Sequence, residues 1–101
     1  MIYMVWQYKV APDKQAEFEQ YYGADGSWAK LFGQTTGFVS TTLIHHTTEP
    51  MTYMTLDQWS DELSFRRFMH EHKAAYDTLD AQCEGITIEE KYMGTYAEAL
   101  G

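Results

Sequence analysis

The sequence predicts an α+β domain of the ferredoxin-like kind, βαββαβ, with a four-stranded antiparallel sheet and two helices on one face. Three observations carry that prediction. The chain opens on a two-residue apolar alternation, a Thr-rich hairpin occupies its middle, and a helical stripe of apolar residues follows the hairpin.

Taken in order, Ile2, Met4, Trp6, Tyr8 and Val10 fall on one side of a period of two and Gln7 and Lys9 on the other, so the first ten residues read as a strand ending at Ala11-Pro12. Asp13 is placed to cap the helix that follows, in which Phe18, Tyr21, Tyr22, Trp28, Leu31 and Phe32 keep helical spacing. GADG, Gly23 to Gly26, should loosen or break that helix before SWAKLF resumes it. A second strand starts at Gly37 and runs through GFVSTTLIHH. TTEP, Thr47 to Pro50, turns the chain, and MTYMTLDQW, Met51 to Trp59, returns it as the third strand. Ser60 or Asp61 caps a second helix whose Phe65, Phe68, Met69, His72, Tyr76, Leu79 and Cys83 recur every three or four residues. Gly85 stops it, and ITIEEKYMGTY, Ile86 to Tyr96, supplies the last strand.

All 101 residues fit one domain, and nothing in the sequence suggests a linker or repeat. Fifteen acidic residues against seven basic give a formal charge of −8, which repels a phosphate backbone or an anionic membrane surface. Nucleic acid and membrane are therefore not expected partners. The single cysteine, Cys83, lies on the apolar helix face and reads as a buried inert thiol. The apolar start lacks a basic leader and a cleavage site, so a cytoplasmic protein is expected. Strands two and three carry apolar residues on both faces: Val39 and Leu43 against Phe38 and Ile44, Met54 and Leu56 against Tyr53 and Trp59. Helices cover only one face, so the other calls for a second copy of the chain, a homodimer packed sheet to sheet.

These elements carry a resemblance. A first strand running into KVAPDKQAEFEQYY, a GF opening the second strand and YMTLDQWSDELSFRRF, where a strand ends in Trp and a capped helix begins, together resemble the antibiotic biosynthesis monooxygenase superfamily of dimeric α+β barrels. The resemblance implies an activity drawn from a varied set: cofactor-independent oxygenases of polycyclic phenols, haem-degrading enzymes, NIPSNAP-like proteins, stress-responsive proteins and many with no assigned role. The oxygenase and haem branches combine Asn, Trp and His or Tyr. This sequence contains no asparagine and carries Phe68 where the haem branch has its Trp, so that triad does not transfer.

Four histidines are candidates for chemistry. His70 and His72 sit two apart on a helix and His45 and His46 are strand neighbours, so neither pair can converge on one metal, and no metal site is expected. His70 falls on the polar side. His72 lies in the apolar stripe, one turn from Tyr76, and reads either as a packed imidazole or as a base beside a phenol. On the functional reading His72 and Tyr76 are the catalytic pair and Trp6, Tyr22, Trp28, Trp59, Phe68 and Met69 wall a pocket for a small apolar aromatic molecule. Asp25 is a possible carboxylate partner for His72. The function expected from the resemblance is cofactor-independent monooxygenation of that phenolic molecule. A non-catalytic ligand-binding or stress-responsive protein is the alternative, and haem held by His72 is disfavoured without the Asn and Trp.

Overall fold

The computed structural model describes residues 1–100. Strand β1 spans Ile2–Val10, followed by two short helices, α1 (Gln15–Tyr22) and α2 (Ser27–Phe32). The hairpin strands are β2 (Phe38–His45) and β3 (Thr52–Trp59). Helices α3 (Glu62–Glu71) and α4 (Lys73–Gln82) precede β4 (Thr87–Ala97). The strands form one sheet in the order β2-β3-β1-β4, antiparallel throughout. This is the expected ferredoxin-like topology, with both helical stretches divided in two.

The first division falls at GADG, as its glycines require. A Cβ at Gly26 would lie 2.7 Å from the Gln20 carbonyl oxygen, so only glycine lets α2 begin so close beneath α1. The second division, at His72, corrects the expectation of one continuous helix. No Gly or Pro causes it. His72 leaves helical geometry at φ −123° because α3 packs on β3 whereas α4 packs on α2, and the chain turns between those partners. A smaller correction concerns Asp13, which does not cap α1. Lys14 takes the N-cap position without a side-chain bond, its N–H donating to Ala11 across the turn. Asp61 does cap α3, its Oδ1 accepting from the Ser64 N–H and Oγ at 2.8 Å each.

The core lies between sheet and helices. Phe18, Trp59, Phe68 and Val10 are wholly buried there, and Phe32 meets Trp59, Phe68 and Phe38 with ring centroids 5.0 to 5.5 Å apart. A bulge at Val39 shifts the β2 register, so Phe38 and Leu43 both pack on this side, not on opposite faces as simple alternation implies. The face away from the helices carries Met54, Leu56 and Ile44, the last 46% exposed, with Val39 equally exposed at the bulge. No helix of the described residues is long and apolar enough to cross a membrane.

A candidate active site between the sheet and the helices

The alternation that buries one face of each strand also builds a cavity. On β1 the inward residues include Trp6 and Tyr8; on β3 they are Tyr53, Thr55, Asp57 and Trp59; and Thr41 of β2 stands opposite Asp57 in the register. Trp6, Tyr8, Thr41, Thr55 and Asp57 form the floor of a half-open space of about 60 Å³. Tyr22, Trp28 and Phe32 roof it from α1 and α2, Tyr76 and Asp80 from α4, and Glu90 of β4 closes one side. Tyr76 stands edge-on to Trp28 at 5.0 Å, and Tyr22 lies 4.9 Å from Tyr8.

The electrostatics of this space are one-sided. Among the described residues, no Lys, Arg or His lines it. Burial pushes the phenols of Tyr8 and Tyr22 well above the ordinary tyrosine range, and burial followed by Asp80 and Glu90 raises Tyr76. All three remain neutral hydroxyls at physiological pH. Asp57 is half-buried, and desolvation there pushes its carboxyl up to about 6, against the opposing effect of Thr41, whose Oγ1 donates to Oδ1 at 2.7 Å. Thr55 Oγ1 and Trp28 Nε1 are buried without a hydrogen-bond partner of good geometry. Polar groups left unmet in an aromatic cavity are suited to a flat ligand carrying oxygen.

Of the residues expected from sequence, the structure brings Trp6, Tyr22, Trp28 and Tyr76 to this cavity. Trp59, Phe68 and Met69 do not line it: the first two are fully enclosed by Phe32 and Phe65 in the adjoining core, and Met69 packs against that core. Nor does His72 line it. The break between α3 and α4 leaves its half-buried ring stacked on Phe68 at 5.5 Å. Asp25 lies exposed in the loop between α1 and α2, and His70 is exposed. His46 has a structural task, accepting the backbone N–H groups of Thr48 and Glu49 in the hairpin turn. No cluster of three or more His, Cys, Asp or Glu placed for a metal occurs among the described residues. Cys83 is buried, and burial raises its thiol.

Sequence reasoning missed Asp57. The signal was present: counting by two from Tyr53 to Trp59 places one carboxylate on the inward side of an otherwise apolar or hydroxyl-bearing strand face.

A four-stranded antiparallel sheet with helices on one side and an aromatic cavity between them defines a small α+β domain of the ferredoxin-like class. The particular family is set by the sequence: residues 1–75 match the model of the antibiotic biosynthesis monooxygenase family, and the chain belongs to that family. Solved structures share the fold. SnoaB, a cofactor-independent oxygenase from Streptomyces nogalater, is 21% identical over 99% of this chain and 94% of its own, with a TM-score of 0.77. A candidate antibiotic biosynthesis monooxygenase from Deinococcus radiodurans, 10% identical, covers 100% of this chain and 95% of its own at a TM-score of 0.76. The protein PA3566 of Pseudomonas aeruginosa, 14% identical, covers 98% and 94% at 0.68. No curated protein matches the sequence.

Proposed function

We propose that the protein is a cofactor-independent monooxygenase of a small phenol, working in the cytoplasm as a homodimer. The observation that supports the reading is the cavity itself: aromatic rings on several sides, three neutral tyrosines, and buried polar atoms without partners, in a member of a monooxygenase family. An aromatic ring slides between Trp6, Tyr22 and Trp28, and the Tyr76 hydroxyl orients its oxygen. The space is small beside the ~300 Å³ or more of a usual ligand pocket. The reading therefore favours one- or two-ring substrates, admitted as the exposed side chain of Tyr92, 5.0 Å from Trp6, swings aside. Such substrates need only lose a proton to become reducing enough for dioxygen, which is why no cofactor is invoked. The homodimer reading is supported by the apolar outer face around Ile44 and Leu56, over which no helix among the described residues packs, leaving Ile44 46% exposed and Leu56 half-buried.

The test is oxygen uptake with 1-naphthol as the probe, alongside binding followed by tryptophan fluorescence. The expected result is saturable uptake that falls at least tenfold in Thr55→Trp, which fills the cavity. Binding without uptake would leave a ligand-binding protein, and neither binding nor uptake across one- and two-ring phenols would refute the reading.

A further inference from the structure

A phenol must give up its proton before it can reduce dioxygen, and the histidine expected to take it lies outside the cavity. The half-buried carboxylate on the floor has no structural need to be acidic. Thr41 is the one hydrogen-bond donor to Asp57 among the described residues, and an asparagine would accept that bond as well. No cation compensates the carboxylate, so holding it there is unfavourable for the fold. With Oδ1 fixed by Thr41, Oδ2 is left for whatever occupies the cavity that Asp57 lines. Thr55, two residues earlier on the same strand face and 2% exposed, has its hydroxyl near the Tyr8 phenol without a hydrogen bond of good geometry.

We propose that Asp57 is the catalytic base of this site, accepting the phenolic proton on Oδ2 while Thr55 holds the phenolic oxygen; the proposal rests on the oxygenase reading above. The O–H bond breaks, its proton goes to Asp57, and its electron pair stays on the phenolate. The phenolate gives an electron to dioxygen from solution, and a C–O bond closes at the ring carbon para to the oxygen. The resulting peroxide takes the proton back from Asp57. Cleavage of that carbon's C–H bond and of the O–O bond then releases water and leaves a quinone. The sum is phenol plus dioxygen giving quinone plus water, with Asp57 restored. A carboxyl held near 6 suits the task, being ionised at neutral pH yet basic enough to take and return a proton. The groups facing Asp57 are Tyr8 on β1, Tyr22 on α1, Tyr76 and Asp80 on α4 and Glu90 on β4; α2 and β2 contribute no titratable side chain. Asp80 and Glu90 are exposed, and the tyrosines are neutral well past pH 8. An acid limb near pH 6 is the expected signature of Asp57.

The experiment compares wild type, Asp57→Asn and His72→Ala with 1-naphthol across pH 5 to 8, and titrates bound 4-nitrophenol in each. Expected are a loss in kcat/KM on the order of 10²-fold or more in Asp57→Asn, disappearance of the acid limb in that variant alone, and His72→Ala within a few-fold of wild type. The bound dye should ionise at higher pH in wild type than in Asp57→Asn, because the carboxylate opposes a phenolate beside it. Activity in Asp57→Asn within threefold of wild type, with the limb unmoved, overturns the proposal and leaves the oxygenase reading standing. Should wild type itself take up no oxygen, the dye decides: a difference between wild type and Asp57→Asn keeps Asp57 as the proton acceptor for a bound phenol, and coincident titrations or no dye binding overturn it.

Discussion

Asp57 and His72 show how much a single position depends on its backbone. A helical wheel puts His72 inward, and it does face the core, but at the turn its ring stacks on Phe68 and is not among those lining the cavity. Periodicity gives a side and no more; it does not register where a helix changes direction. Asp57 was readable by counting along its strand, yet an acidic residue near a strand end also reads as surface. Its pH behaviour distinguishes the two. Below the ordinary carboxylate value of 3.8 both folded and unfolded chains carry the proton, and the group has no effect. From there to about 6 only the unfolded chain has released it, so stability on this account falls as pH rises and then stays lower. The full deficit is roughly 3 kcal/mol by the conversion of 1.36 kcal/mol per pH unit. Asp57→Asn should therefore be more stable than wild type in denaturant melts at pH 7.5 and equal to it at pH 3.5. An equal or less stable variant at pH 7.5 would mean that the carboxylate is well solvated. His72→Ala should cost about 1 kcal/mol through lost packing on Phe68, read in the same melts.

Among the elements, strands were the more legible. The alternation of β1 and the β2–β3 hairpin follow directly from Ile2 to Val10 and from the TTEP turn. What escaped was the bulge at Val39, since one extra residue leaves no compositional trace, and the break at His72, which tertiary packing imposes without a Gly or Pro. The join between β2 and α3 is where the scaffold tolerates least. Gly37 holds φ +107° and its carbonyl accepts the Ser60 N–H at 2.7 Å; an added Cβ would stand 2.1 Å from Ser64 Oγ. Gly37→Ala is expected to destabilise by about 2 kcal/mol or more, combining left-handed strain with a clash. A melt within 0.5 kcal/mol of wild type would show that α3 can shift at small cost, and with it the end of β3 that carries Asp57.

For the molecule as a whole, charge and surface set two further expectations. A cavity whose ionisable groups, among the described residues, are carboxylates and tyrosines, in a chain of net charge −8, disfavours an anionic substrate. 1-Hydroxy-2-naphthoate should be turned over at least tenfold less efficiently than 1-naphthol, and Glu90→Gln should narrow the gap; equal efficiencies would remove the electrostatic argument. The uncovered sheet face should hold two copies together, so light scattering at micromolar concentration should give a dimer and Leu56→Glu a monomer. A monomeric wild type would mean that this face serves some other purpose. The central claim is that the cavity joins one atom of dioxygen to a phenol. Its most direct test is mass spectrometry of the product formed from 1-naphthol under ¹⁸O₂ by the metal-free protein. One ¹⁸O in the quinone and the other in water is the expected result; a quinone with no label, or no product at all, would contradict it.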